Sequence, residues 1–275
     1  MATWVFLQLV LATTRVCSRA MTAPRTKRPP KPAPAIDPSL VFRWIITCDI
    51  PKLGWAKRKA TVAKLAHAVA STKSWQHLPG LAVGLGAAAP YAGVAELAKA
   101  IGSGASRVAV VQGGKNQRSS DTTGGIEVEI APGAATLTAA LGGPTLAALR
   151  TSALDDFFAT AVALRVALPD ELHVVVAHAW CDWADEPDEP DDQARWPLRA
   201  IADVFEPDRP PWDEDDEFLE ASKLMAKAKP PAGVERSTSD GLVALRWTSD
   251  PCDLAAVEAA SAKHIDWILK TAPAK

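Results

Sequence analysis

Residues 234–270 read VERSTSDGLVALRWTSDPCDLAAVEAASAKHIDWILK, and their reading decides the fold class. Val234–Thr238 and Leu242–Trp247 are short strand-like runs. Ser239-Asp240-Gly241 between them is a turn-favouring triplet, so the spacing predicts a hairpin. The period then changes. Leu254, Val257, Ser261, Ile265 and Ile268 recur at three- and four-residue intervals, which predicts one buried stripe on a helix over about 251–270. Asp250 is placed to cap that helix, with Pro251 at N1 and Asp253 at N3, and Lys270 near its end suits the helix dipole. A hairpin followed by a helix, without regular strand–helix–strand alternation, points to an α+β protein.

The rest of the chain agrees with that class. Residues 172–178 (LHVVVAH) predict a central strand, because the valine run is apolar on both faces. Residues 152–167 (SALDDFFATAVALRVA) predict a long helix with Ser152 as N-cap and Asp155 completing a capping box. Residues 107–111 (RVAVV) and 126–130 (IEVEI) predict strands, the second with Glu127 and Glu129 turned away from the core. Residues 41–48 (VFRWIITC) predict a further strand, and 56–73, 92–101 and 215–228 predict helices; 81–86 suit a short strand. The expected architecture is a mixed or mostly antiparallel sheet, with helices packed on one face and a long acidic surface excursion at 182–214. That excursion is rich in proline, with room for one short helix near 197–204. Residues 1–38 read as a leader and basic, Pro-rich tail, and 39–275 as a single domain.

Charge is distributed unevenly. Residues 1–74 hold 13 Lys/Arg against 2 Asp/Glu, and residues 182–220 hold 16 Asp/Glu against 3 Arg, so a formal total of −2 conceals a basic start and an acidic stretch. Asymmetry of this kind bears on partners rather than on fold. The hydrophobic content of 48% supplies a core without disulfide staples, and the four cysteines form no CxxC pair, so reduced thiols in a cytoplasmic protein are expected. The run at residues 4–14 is too short to span a bilayer as a helix. Translation is expected to start at Met21; if residues 1–20 are instead a signal peptide, the protein is exported. The basic tail is expected to make at most weak contact with nucleic acid.

The sequence offers residues for four chemistries. The loop 112–125, with Gly113, Gly114, Lys115 and Arg118, resembles a phosphate cradle, but it runs into a strand and lacks the P-loop's Ser/Thr. His178, Cys181 and Asp182 place an imidazole, a thiol and a carboxylate within five residues, yet neighbours on an extended chain point alternately to opposite sides. The acidic stretch lacks the register of a calcium loop, and the histidines are dispersed, so no metal ligand or cofactor is expected. The last is a protein-binding surface. Trp180, Trp183, Trp196 and Trp212 lie among or beside Asp182, Asp185, Glu186, Asp188, Glu189, Asp191 and Asp192. Clustered carboxylates steer a basic partner, and indoles supply anchors that lose water on docking.

The strand GGIEVEIAPG (124–133) and the terminal hairpin and helix GVERSTSDGLVALRWTSDPCDLAAVEAASAKHIDWI (233–268) occur in an order that resembles immunity-type proteins of bacterial polymorphic-toxin and secretion-system loci. The resemblance covers about half of the chain and transfers no functional residue. It implies a small α+β protein that binds and neutralises a cognate toxin without catalysis. The leading expectation is therefore a non-enzymatic binding protein with no catalytic residues. The alternative is a hydrolase or transferase with a site near His178, Cys181 and Asp182 or in the Lys115 loop.

Overall fold

In β1 (Leu40–Asp49), Phe42, Trp44, Ile46 and Cys48 are buried, while Arg43, Ile45, Thr47 and Asp49 are half-buried. This period-two alternation gives the strand one face committed to the core. The computed structural model describes residues 36–37, 39–50, 55–70, 78, 80–83, 89–90, 93–103, 107–111, 125–131, 133–168, 172–183, 200–211 and 216–271. After β1 come α1 (Trp55–Ala70), β2 (Gly80–Val83), β3 (Ala89–Pro90), α2 (Val94–Gly102), β4 (Arg107–Val111) and β5 (Gly125–Ala131). The chain continues through β6 (Ala134–Gly142), α3 (Gly143–Leu149), α4 (Ser152–Ala167), β7 (His173–Trp183), β8 (Ala202–Phe205), α5 (Glu217–Lys227), β9 (Glu235–Ser239), β10 (Leu242–Arg246) and α6 (Leu254–Thr271).

The strands form one ten-stranded sheet in the order β3-β2-β4-β5-β6-β1-β7-β8-β10-β9. Every adjacent pair is antiparallel. The protein is α+β, as the sequence implies. Trp44 meets Phe157 of α4 with ring centroids 6.2 Å apart, which places α4 on the Phe42–Trp44–Ile46 face. Burying side chains of this size stabilises the fold by about 1.5–3 kcal/mol each before entropy is counted.

Helices do not cover one face alone. His178 and Ala179 are neighbours on β7 and point to opposite faces. Ala179 pairs with Trp44 of β1 and so belongs to the α4 face. His178 pairs with Asp203 of β8, which reaches His264 of α6, so α6 packs on the other face. The sheet is thus sandwiched near β8 and β10. On the α6 side of β1 and β6, the residues Arg43, Ile45, Thr47, Thr136 and Thr138 are half-buried.

Four further expectations are corrected. The excursion at 182–214 is not a single loop: β7 runs on to Trp183, and the wholly buried β8 returns within the acidic stretch to occupy the sheet between β7 and β10. Residues 202–205 are therefore strand where a short helix was expected; Ala-Asp-Val-Phe carries its one charge to a buried partner, which hydropathy alone does not show. β6 and α3 had no counterpart in the sequence reading, because AATLTAALG is rich in small residues and weak in strand formers. The capping box of α4 is absent: Ser152 Oγ donates to Leu149 O at 2.5 Å, and Asp155 pairs with Arg246. α6 begins three residues later than expected. Asp253 accepts the Ala256 N–H at 3.2 Å, while Asp250 accepts that of Cys252 at 2.9 Å and pairs with Arg150.

The hairpin β9–β10 turns at Asp240 and Gly241, both with positive φ (53° and 82°). That backbone favours Gly, Asn and Asp, and it matches the twist of the paired strands. Among the described residues no helix is long and apolar enough to cross a membrane.

Candidate functional site

β7 carries the chemistry-bearing residues, and its pleat sorts them. His178, Trp180 and Asp182 share the α6 face, whereas Ala177, Ala179 and Cys181 share the α4 face. His178 is 2% exposed and lies at the centre of a polar network inside the core. Its Nδ1 is 2.9 Å from Asp203 Oδ1. The other carboxylate oxygen of Asp203 accepts the Trp247 indole N–H at 2.7 Å and lies 3.2 Å from His264 Nε2. Trp247 also packs edge-on against His264, with ring centroids 5.0 Å apart, and against Trp267 at 5.4 Å. One carboxylate therefore ties β7, β8, the chain just after β10 and α6 together.

The electrostatics follow from that geometry. Burial opposes ionisation of Asp203, but the His264 charge and the hydrogen bonds from His178 and His264 outweigh it and hold the carboxyl well below the usual carboxylate range. For His178 burial is the largest influence and lowers its pKa, against the pull of Asp203. His178 is thus held as a neutral imidazole beside an ionised carboxylate. A neutral histidine oriented by a carboxylate is half of a general-base arrangement. With His178, Asp203 and His264 all at 2% exposure or less, substrate has no approach to it, so the network is structural.

The His178–Cys181–Asp182 grouping does not converge. Cys181 is buried on the α4 face, where its thiol Sγ lies 3.4 Å from Pro251 O, and burial raises its pKa, with Cys252 adding to the effect. A thiol held protonated in this way is a poor nucleophile. Asp182 is four residues from His178 along an extended strand, a separation of about 13 Å. The catalytic alternative built on these residues is corrected accordingly. The Lys115 loop, with Gly113, Gly114 and Arg118, lies outside the described residues.

Asp182 belongs to a second cluster. Its Oδ2 accepts the Trp180 indole N–H at 2.6 Å and pairs with Arg43 Nε at 3.2 Å. β1 presents Arg43 directly across from Trp180, and Val41 across from Asp182. Trp180 and Asp182 are half-buried, as is Arg43. The cluster thus offers an indole face, a carboxylate and a guanidinium on the less covered face of β1 and β7, at the start of the acidic stretch. Trp183 continues β7 opposite Leu40. Its side chain and residues Asp185, Glu186, Asp188, Glu189, Asp191, Asp192, Trp196 and Trp212 lie outside the described residues.

A third cluster closes the opposite end of β7. Glu206 Oε1 lies 2.9 Å from His173 Nδ1 and 3.0 Å from Arg165 Nε, and its Oε2 accepts the Val174 N–H at 3.0 Å. Beyond it, Arg209 forks onto Asp216, which also caps α5 through the Leu219 N–H at 2.9 Å. Sequence reasoning missed Asp203, Glu206, Trp247 and His264 as network members. The only available signal was the odd placing of an Asp inside Ala-Asp-Val-Phe. Among the described residues no group of three or more His, Cys, Asp or Glu is arranged to hold a metal ion.

No protein-family model matches the chain, and no curated protein matches it. Among solved structures, the chain is similar to the Pseudomonas aeruginosa T6SS protein PA0821, with 11% sequence identity and a TM-score of 0.47. The alignment covers 84% of this chain and 73% of the other. A likeness of that size assigns no residue a role.

Proposed function

We propose that this protein is a non-enzymatic binding protein of the immunity type, which neutralises a cognate bacterial toxin by holding a basic face of it. The contact surface starts at Trp180 and Asp182 and continues through Trp183 and the carboxylates of 185–192 to Trp196 and Trp212. The observation that supports this reading most is the Trp180–Asp182–Arg43 cluster. Asp182 and Arg43 fix the indole on the less covered sheet face, at the point where β7 leads into the acidic stretch. A rigid indole beside dense negative charge has the make-up of an interface anchor with an electrostatic rim. The separation of His178, Cys181 and Asp182 supports the same reading, because it removes the nucleophile–base pair that the alternative needs.

Co-expression with each candidate toxin of the source genome tests the proposal. The wild-type chain should restore growth, and a chain carrying Trp183→Ala with Asp188→Lys should not, while remaining folded by circular dichroism. Restoration by both chains removes the acidic segment from the interface; restoration by neither removes the immunity role.

A further inference from the structure

Cys181 and Cys252 lie together in space, although β8, α5 and the β9–β10 hairpin separate them in the chain. Cys181 Sγ is 3.4 Å from Pro251 O, the carbonyl joined directly to the Cys252 nitrogen. The peptide between Pro251 and Cys252 is trans. In a trans peptide the next Cα stands about 2.8 Å from the carbonyl oxygen. The Cys181 sulfur is therefore within about 6 Å of Cys252 Cα, and any bend in that path shortens it. Cys252 also packs against the buried cluster that contains Cys181. After burial, the Cys252 sulfur does most to raise the Cys181 thiol, ahead of the carboxylate of Asp182, the next residue along the strand. Charges act that strongly on each other only at short range.

The backbone on both sides is fixed. Cys181 sits in the β1–β7 ladder opposite Phe42. Asp250 accepts the Cys252 N–H at 2.9 Å through one carboxylate oxygen and pairs with Arg150, between α3 and α4, through the other. No other described cysteine competes. Cys48 is wholly buried on β1 opposite Val174, which is about 23 Å from Cys181 along β7. Cys17 lies outside the described residues. Spacing in the sequence gives no sign of the pair, because neither cysteine has another near it in the chain.

We propose that Cys181 and Cys252 form a disulfide that fastens the end of β7 to the turn before α6. A disulfide joins Cα atoms about 4.4–6.8 Å apart, and turning the two side chains about χ1 closes the remaining gap between the sulfurs. The oxidant is a small organic disulfide, such as oxidised glutathione. Cys252 reacts first, because it is half-buried and its thiol is raised less than that of Cys181, which is 7% exposed. Its thiolate attacks the reagent's S–S bond and forms a mixed disulfide. One small thiolate leaves and takes up the Cys252 proton. The Cys181 sulfur then attacks Cys252 Sγ and the mixed S–S bond breaks. The second small thiolate leaves with the Cys181 proton. The two protein thiols lose two electrons, and the reagent is reduced to two thiols. The second step is intramolecular, so no reagent has to reach Cys181. Raised thiol pKa values make both steps slow, and burial then shields the finished bond. In a reducing compartment the thiols stay free. Where disulfides persist, the bond closes a long loop containing the acidic stretch, and closing so long a loop stabilises the folded chain. This cross-link stands independently of the toxin-binding proposal.

Peptide mass mapping of the folded, full chain tests it. The reduced protein is freed of reductant and incubated with oxidised glutathione in the absence of denaturant. Tryptic digestion without reduction should then join Val166–Arg195, which holds Cys181, to Trp247–Lys263, which holds Cys252. Cys252→Ser, at a half-buried site, should abolish the joined peptide and leave Cys181 as a thiol. Independently, the oxidised chain should need more urea to unfold than the reduced chain, and Cys252→Ser should show no such difference. A wild-type chain in which the two peptides stay separate, a Cys181 or Cys252 linked equally well to Cys48 or Cys17, or an oxidised chain no more stable than the reduced one overturns the proposal.

Discussion

His178 and Asp203 face each other across the β7–β8 pair, with His178 Nδ1 2.9 Å from Asp203 Oδ1, and both are at least 98% buried. This one contact accounts for two things about the chain. It explains how a strand from the acidic stretch takes a place inside the sheet, and why the histidine that looked reactive in sequence is closed to substrate.

Asp203 is the carboxylate that the core depends on. Asp203→Ala leaves the Trp247 and His178 N–H groups without their acceptor in the interior. Breaking a buried polar pair by removing one partner costs about 3–5 kcal/mol. Urea denaturation should show a loss of that size for Asp203→Ala and under about 1 kcal/mol for Lys270→Ala, whose ion pair with Asp266 is exposed. Equal losses would show that the network carries no special weight.

Stability should fall as pH drops below about 6.5. The folded pKa of His178 is lowered, mainly by burial. The unfolded chain therefore takes up a proton at this position that the folded chain refuses, and stability is lost from the unfolded pKa downward. The slope contributed is at most about 1.4 kcal/mol per pH unit for one proton. Denaturation at a series of pH values should show it, and His178→Asn should reduce it. An unchanged slope in that variant would assign the pH dependence elsewhere.

Much of the fold is legible in the sequence because local chemistry and tertiary packing agree there. The alternation of IEVEI, the Asp-Gly turn and the helix at 152–167 each carry one unambiguous period. Where the account fails, burial and composition disagree. β8 holds an aspartate that hydropathy sends to the surface, and partners 25, 44 and 61 positions away (His178, Trp247 and His264) make it tolerable inside. On α6 the expected stripe ran through Ser261 and Ile265, whereas the buried positions are Val257, Ala260, His264, Trp267 and Ile268. The buried positions include a histidine and a tryptophan, and both have polar partners: His264 lies beside Asp203, and Trp267 donates to Lys229 O at 3.3 Å. Of the expected binding residues, the described structure brings Trp180 and Asp182 together, and no sequence signal pointed to Arg43 as their companion.

Thiol chemistry distinguishes a packed cysteine from a catalytic one. Cys48 and Cys181 are buried with raised pKa values, and Cys252 is half-buried, with its thiol pushed up to about 11 chiefly by burial, assisted by Asp250. In the native protein at neutral pH a maleimide should leave Cys48 and Cys181 unmodified until denaturant is added, with Cys252 reacting slowly. Rapid native modification of Cys181, read by peptide mass, would reopen the case for a nucleophile on β7.

The anchor cluster makes its own prediction. Trp180→Ala removes the indole, and Asp182→Asn removes the charge that Arg43 and Trp180 share. Both sites are half-buried, so each variant should cost about 1–2 kcal/mol of stability or less. Each should weaken partner binding by tenfold or more, in the range of an interface anchor. Titration calorimetry alongside urea denaturation separates the two effects.

The most direct measurement is the affinity of the purified protein, at low and at high salt, for the toxin whose growth arrest it relieves. The account predicts tight binding that weakens steeply as salt screens the carboxylates and is lost in the Trp183→Ala, Asp188→Lys chain. Binding that is indifferent to salt and to those substitutions would contradict it.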